Sequence, residues 1–147
     1  MTQPIATGRT VKLTRRFAAT PERLFDAWLD PADVRRFLFA TPGGEMMTVE
    51  IDPRVGGDAL IVECRGDRQA LHRLRYEAIE RPHRLVFLFK ACIVGGPVAD
   101  EWTRVTVAIV PDGDGAQLTL THEGVWPDFE DKTREGWTMI LASLADL

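Results

Sequence analysis

Several features that other protein classes depend on are scarce in this sequence. It has only two cysteines in 147 residues, Cys64 and Cys92, too few for a disulfide scaffold, so each is interpreted as a small buried hydrophobic residue. Its only serine, Ser143, lies outside any serine-elbow motif, which argues against a serine nucleophile. The histidines and cysteines form no closely spaced pairs, and the Gly-Gly pairs lack the context of a dinucleotide site. The sequence therefore predicts no metal site and no cofactor.

An excess of positive charge and a long apolar run are missing as well. Lys and Arg number 18 against 22 Asp and Glu, a formal charge of −4, which is the wrong sign for binding a phosphate backbone. The longest strongly apolar stretch, Leu85 to Phe89, is far shorter than the roughly 18 residues of a spanning helix. The first residues lack the pattern of a secretory signal. We expect no nucleic-acid partner, no membrane span and a cytoplasmic location.

The composition that remains is that of a globular protein. Hydrophobic residues make up 45% of the chain and charged residues 27%, close to the averages for folded domains. A length of 147 residues fits one domain. We therefore expect residues 1–147 to form a single domain.

In the first third of the chain, apolar and polar residues first alternate and then recur at helical spacing. Residues 9–18 alternate as a strand does. Thr20 followed by Pro21 is a typical helix start, and Asp30 followed by Pro31 repeats it. The pattern predicts two short helices that end at a Pro-Gly-Gly loop near residue 42.

From residue 46 onward, apolar residues recur at every second position, which is typical of β-strands. Turn residues, including Gly95-Gly96-Pro97, separate the runs and predict an antiparallel meander. Helical spacing returns at the end, where Asp128 and Asp131 resemble a capping box and an apolar stripe runs from Thr133 to Leu144. The predicted strands are 46–52, 58–64, 69–80, 85–94, 101–110 and 117–123.

Hairpin geometry predicts which side chains face inward. A two-residue turn at 113–114 places Val105 opposite His122 and Val107 opposite Leu120. This inner face is apolar and ends in a histidine.

A turn at Pro82-His83 makes the corresponding prediction for the earlier hairpin. It places Phe89 opposite Tyr76 and puts Tyr76 on one inner face with His72 and Ala78. Both hairpins thus bring polar groups to faces that are otherwise apolar.

The C-terminal helix is the only long amphipathic element available to cover this sheet. A glycine inside a helix costs about 1 kcal/mol relative to alanine. We therefore interpret Gly136 as a point of close approach between the helix backbone and the sheet.

The inward polar groups admit two interpretations. A buried histidine is usually satisfied within the core, and for one such residue that interpretation is favoured. Three inward polar groups, with Arg15 as a candidate fourth, also fit a mostly apolar pocket with polar anchors. The candidate ligand-binding residues are His72, Tyr76, Phe87, Phe89, Ile109, Leu120, His122 and Trp137.

Five short motifs carry a resemblance to a known family. They are Ala19 to Trp28 (ATPERLFDAW), Asp30-Pro31, Arg54 to Gly57 (RVGG), Gln117 to Gly124 (QLTLTHEG) and Gly136-Trp137. Their order and spacing are similar to those of the family of homologues of the heat-shock-protein-90 ATPase activator, within the START-like, pollen-allergen-like (SRPBCC) superfamily. The match extends over nearly the whole chain.

The resemblance implies an α+β helix-grip fold. In this fold a curved antiparallel sheet of six or seven strands wraps around a long C-terminal helix, and a cavity lies between the sheet and the helix. The function that we favour, from the inward polar groups together with this resemblance, is binding of a small hydrophobic or amphipathic molecule, a lipid for example. The alternatives are an enzyme acting in the same cavity, with His72, His122 or Tyr76 as candidate acid or base and no catalytic set assigned, and a co-chaperone-like module that stimulates a heat-shock-protein ATPase. The partners implied are a small molecule, a chaperone or other protein, and a second copy of the chain in a homodimer.

Overall fold

The computed structural model describes residues 5–41, 43–93 and 101–147. The elements in chain order are β1 (Arg9–Phe17), α1 (Pro21–Ala27), α2 (Pro31–Phe37), β2 (Glu45–Ile51), β3 (Asp58–Arg65), β4 (Arg68–Glu80), β5 (Arg84–Ile93), β6 (Thr103–Asp112), β7 (Gly115–Val125) and α3 (Glu130–Ala145). The predicted turn at Gly95-Gly96-Pro97 lies outside the described residues. The predicted α+β helix-grip architecture is confirmed.

The seven strands form one sheet in the order β1-β7-β6-β5-β4-β3-β2. All neighbouring strands are antiparallel. Strands β2 to β7 follow one another as a meander, and β1 joins the free edge of β7. Helix α3 packs against β1 and α2, so it covers one face of the sheet.

Both short helices begin as the sequence predicts. The Thr20 hydroxyl accepts a hydrogen bond from the Arg23 backbone N–H at 3.2 Å, and Asp30 accepts one from Ala32 at 2.8 Å. A proline occupies the first helical position in each case, where its missing N–H costs nothing.

The start of α3 differs from the prediction. A 3-10 turn at Pro127–Phe129 precedes the helix, and Phe129 occupies the N-cap position without a side-chain hydrogen bond. The predicted capping box at Asp128 and Asp131 is therefore wrong, because the 3-10 turn places residue 128 before the helix. The apolar stripe is confirmed, with Trp137, Ile140, Leu141 and Leu144 buried.

The register of the last hairpin is confirmed. Val105 pairs with His122 and Val107 with Leu120. Gly113 adopts a φ of 61°, a value that glycine tolerates in tight turns.

The register predicted for the β4–β5 hairpin is wrong by two residues. Tyr76 pairs with Phe87 instead of Phe89. One residue of the shift comes from the turn between the strands, which has three residues between the paired Glu80 and Arg84 instead of the predicted two. The other comes from a bulge between Tyr76 and Ala78. A shift of one residue turns every side chain to the opposite face of the sheet, and a second shift turns it back. His72 and Tyr76 therefore still face inward.

Beyond the bulge, the inner face of β4 changes. Ile79, rather than the predicted Ala78, packs against the core. An extra residue in one strand reverses the alternation from that point on.

Aromatic rings dominate the core beneath α3. The Trp28 and Phe37 rings meet edge to face at 5.2 Å, and Trp28 lies 6.5 Å from both Phe87 and Trp137. Arg15 is not part of this interior, because its side chain is exposed and its guanidinium lies over the Phe17 ring at 5.5 Å.

No helix in the described ranges has the length and apolar character needed to cross a lipid bilayer.

Candidate functional site: a cavity between the sheet and helix α3

A cavity of about 210 Å³ opens between the sheet and α3. The helix contributes Thr133, Gly136, Trp137, Met139 and Ile140 to its lining. The segment after α2 contributes Phe39, Ala40 and Thr41, and the strands contribute Arg65, Phe89 and His122. Among the described residues of the lining, Arg65 is the only one whose side chain is charged at neutral pH.

A second cavity of about 370 Å³ adjoins the first. The two share Phe89, His122 and Thr133. Gly136 lines only the first, so a side chain placed there distinguishes between them.

Gly136 overturns the interpretation given to it from sequence. A Cβ built at this position meets nothing within 4 Å apart from its own helix and neighbours. The helix backbone is therefore not in close contact with the sheet here. The missing side chain instead leaves the cavity open.

Replacing Gly136 is expected to stabilise the protein. Gly136→Ala gains helix propensity without a clash, so the free energy of unfolding should rise by about 0.5 to 1 kcal/mol. Urea unfolding measures this change. A loss of stability in Gly136→Ala would show that the backbone does approach the sheet closely.

His122 lies at the centre of a chain of hydrogen bonds behind the cavity wall. The Trp137 indole N–H donates to His122 Nδ1 at 3.0 Å. His122 Nε2 lies 2.7 Å from the Thr103 hydroxyl, and that hydroxyl donates to the Phe89 carbonyl at 3.1 Å. An indole N–H can only donate, so Nδ1 carries the lone pair and Nε2 carries the proton.

This network leaves His122 neutral and fully bonded. Burial lowers the pKa of His122 to about 4, since desolvation penalises the charged imidazolium. Both ring nitrogens already have protein partners. The geometry is that of a structural histidine that orients Trp137 at the cavity.

His72 is also buried and neutral. Its Nδ1–H donates to the Ile61 carbonyl at 3.3 Å, and its ring is parallel to that of Phe39 with centroids 4.2 Å apart. Burial lowers the pKa of His72 to about 4, and the positive charge of Arg65 acts in the same direction.

Phe39 forms part of the cavity wall in an unusual backbone conformation. Its φ is 61°, a region that bulky residues rarely occupy. The ring stacks between neighbours, with Phe89 at 5.0 Å and Trp137 at 5.7 Å in addition to His72. This packing holds the strained backbone, which costs about 1 to 3 kcal/mol.

The two histidines do not form a catalytic pair. His72 lies on β4 and His122 on β7, with β5 and β6 between them. The Phe89 ring contacts both, at 6.1 Å and 5.7 Å between centroids. Neither imidazole hydrogen-bonds to the other, and at a pKa near 4 neither is matched to acid–base work at neutral pH.

A buried carboxylate anchors the charged edge of the cavity. Glu63, on β3, is 1% exposed. One of its oxygens accepts from the Thr41 backbone N–H at 2.6 Å and from the Thr41 hydroxyl at 2.7 Å. The other accepts from Arg65 Nε. A Cβ at Gly44 would overlap this carboxylate, so the loop leaves room for it.

These bonds determine the charge state of Glu63. Burial by itself would raise the pKa of Glu63, but the hydrogen bonds from Thr41 and Arg65 outweigh burial and hold the pKa below its usual range. Glu63 is therefore ionised at neutral pH and fixes Arg65 at the cavity.

The sequence-predicted site residues divide into three groups. Phe89, His122 and Trp137 line the cavity, whereas His72 lies behind Phe39. The other four predicted residues are buried in the core: Tyr76, Phe87, Ile109 and Leu120. That any of these residues contacts a ligand stays a prediction.

Sequence reasoning missed Phe39, Glu63 and Arg65. The alternation of Ala59, Ile61 and Glu63 in β3 could have placed an acid on the inner face. No local signal connects it to Thr41, which is 22 residues away in the chain. Among the described residues, no group of three or more His, Cys, Asp or Glu side chains converges as metal ligands would.

Comparison with known protein families identifies the family to which this chain belongs. The family model of Activator of Hsp90 ATPase homolog 1-like proteins matches residues 18–147. The chain belongs to this family. The match covers α1, α2, every strand from β2 to β7, and α3, and so includes all the residues that line the cavity. No curated protein matches the chain.

Solved structures of similar proteins share the fold. A protein from Chromobacterium violaceum is 26% identical, with a TM-score of 0.82 over 93% of this chain and 94% of that one. A protein from Rhizobium loti is 29% identical, with a TM-score of 0.78 over 94% and 95% of the two chains. An AHSA1-like protein from Aeromonas hydrophila is 18% identical, with a TM-score of 0.79 over 94% and 90%. The last likeness concerns the fold alone.

Proposed function

We propose that this protein binds a small hydrophobic or amphipathic molecule in the 210 Å³ cavity between the sheet and α3. The observation that supports this most directly is the cavity itself. It is lined mainly by apolar side chains, with a few polar groups at its edge, which is the usual composition of a small-molecule site.

The size of the cavity limits the ligand. An apolar cavity of roughly 150 Å³ already admits benzene, so the cavity between the sheet and α3 suits a molecule with one ring or a short aliphatic chain. Phe39, Trp137 and Ile140 offer apolar surface for such a body. The strained φ of Phe39 adds support, since such strain is concentrated at ligand clamps and functional sites.

The states of the two histidines favour binding over catalysis. His122 has both nitrogens occupied, and both imidazoles are neutral. A general base needs a free nitrogen within reach of the substrate and a pKa near the working pH.

Binding is tested with 3-phenylpropanamide, a neutral molecule with one ring. At 100 times its dissociation constant, a ligand should stabilise the protein by about 2.7 kcal/mol, which appears as a rise in melting temperature. Calorimetric titration should give one site. Gly136→Leu fills the cavity and should abolish binding, while the matched variant Gly136→Ala should retain it.

The comparison between the two variants also locates the ligand. Binding that survives in Gly136→Leu would place it outside this cavity, in the neighbouring one for instance. If this amide and a panel of short-chain fatty acids and other one-ring molecules all leave the melting temperature unchanged, the proposal is overturned. The co-chaperone role suggested by the family would then come first, and it would be tested by stimulation of a purified heat-shock-protein ATPase.

A further inference from the structure

The edge of the cavity carries one guanidinium whose terminal nitrogens have no acceptor among the described residues. Of the lining residues that the structure describes, Arg65 alone is charged, and its side chain is 41% exposed. Glu63 accepts from its Nε alone. Within the described ranges, no other protein group accepts a hydrogen bond from the terminal nitrogens of Arg65. Four N–H donors therefore remain available at the edge of an apolar cavity.

Glu63 holds the Arg65 side chain in place at the cavity. Its second oxygen is fully engaged by Thr41, so the carboxylate cannot move to meet the terminal nitrogens. An arginine held by its Nε keeps a planar pair of donors for a second partner, and a carboxylate matches that geometry with two parallel hydrogen bonds.

A second arginine adds to the positive charge. Arg68 pairs directly with Arg65 across the β3–β4 hairpin, so the two side chains leave the same face of the sheet. Like charges directly opposite each other destabilise a sheet. Arg68 is exposed, and no described residue forms an ion pair with it. The pair places two guanidinium groups at this end of the hairpin, where Glu63 and Asp67 carry the opposite charge.

We infer that the ligand of this cavity is a small monocarboxylate, with its apolar body against Phe39 and Trp137 and its carboxylate paired with the terminal nitrogens of Arg65. This inference rests on the proposed function. Glu63 already offsets the charge of Arg65, so a single negative charge is accommodated here more readily than a phosphate monoester, which carries about −1.5 to −2 at neutral pH. The carboxylate is therefore the better match in charge as well as in shape.

The test compares 3-phenylpropanoate with 3-phenylpropanamide, which has the same shape and no charge. The parent protein should bind the carboxylate more tightly than the amide. Arg65→Gln should weaken carboxylate binding by about tenfold or more, as expected for the loss of charge-assisted hydrogen bonds, and should leave amide binding within about twofold. Arg73→Gln is the matched control, because it removes the same charge from the outer face of β4 and should affect neither ligand.

A salt titration of the parent protein tests the inference without a variant. Affinity for the carboxylate should fall as salt rises, since the guanidinium is partly exposed and screened, while affinity for the amide should not change. Equal affinities of the parent protein for the two ligands would overturn the inference that the ligand is a carboxylate and would leave the proposed function intact. Equal weakening of both ligands by Arg65→Gln would have the same meaning. No binding of either ligand would overturn this inference, and it would overturn the proposed function too when the rest of the panel also leaves the melting temperature unchanged.

Discussion

Lowering the pH from 7 to 4 is expected to remove several kcal/mol from the free energy of unfolding. His72 and His122 have a pKa of about 4 in the folded protein and 6.5 as the reference value. Between these values the unfolded chain binds more protons, so stability falls as the pH falls from 6.5 toward 4. Above and below that window these groups add no slope. Each histidine contributes up to about 3 kcal/mol, at 1.36 kcal/mol for each pKa unit.

Two measurements check this expectation. Urea unfolding at a series of pH values gives the slope, and His72→Phe, which keeps a ring against Phe39, should remove about half of it. Proton NMR should show the C2–H resonances of His72 and His122 titrating well below pH 6.5. His83→Gln identifies the third histidine resonance. Midpoints near 6.5 for both buried imidazoles would contradict their placement in the structure.

The accuracy of the register predictions depended on the connections. The turn at 113–114 is the two-residue kind that the sequence indicates, and with no bulge in the hairpin each pairing of β6 with β7 followed from it. The β4–β5 hairpin contains a bulge at Glu77. A bulge depends on how the strand bends against its neighbours, which a local pattern does not record. The inner faces were still predicted well, because hydrophobic burial fixes them independently of register.

The candidate site was harder to predict than the fold. Trp137, Phe89 and His122 were placed inward by periodicity, and all three line the cavity. Gly136 was misinterpreted, since a glycine on the inner side of a helix gives the same sequence signal whether it faces a strand or an empty space. The cavity is a property of how α3 lies across the sheet.

The charged edge could not be predicted for a different reason. Glu63 and Arg65 form a short-range pair in β3, but the bonds that hold Glu63 come from Thr41 in the loop after α2. Hydrogen bonds between distant parts of the chain leave no periodic signal. A buried acid in a strand is the one local clue, because a carboxylate is rarely buried unless it is paired.

Removing the Glu63 carboxylate is expected to give the largest loss of stability of any single change considered. Glu63→Ala leaves the Thr41 N–H and the Thr41 hydroxyl without their acceptor, at about 1 to 3 kcal/mol for each unsatisfied group, while Arg65, which is partly exposed, can be solvated by water. Glu63→Gln keeps one carbonyl acceptor and should cost about 1 to 3 kcal/mol. Urea unfolding at pH 7 measures both changes. Glu50→Gln, an exposed acid on the neighbouring β2, is the matched control and should stay within about 0.5 kcal/mol of the parent.

The pH dependence of Glu63→Gln separates the charge of this side chain from its shape. Because the folded pKa of Glu63 lies below its reference value of 4.5, the stability it adds is present above pH 4.5 and is lost as the pH falls through the folded pKa. The difference between parent and Glu63→Gln should therefore shrink as the pH falls below 4.5, and because both proteins keep the two histidines, their contribution cancels in this difference. If the Glu63 carboxylate holds Arg65 at the cavity, Glu63→Gln should also weaken binding of 3-phenylpropanoate more than binding of 3-phenylpropanamide. A Glu63→Ala variant as stable as the parent would show that Thr41 and Arg65 find other acceptors, and the charged edge would then not be fixed by this residue.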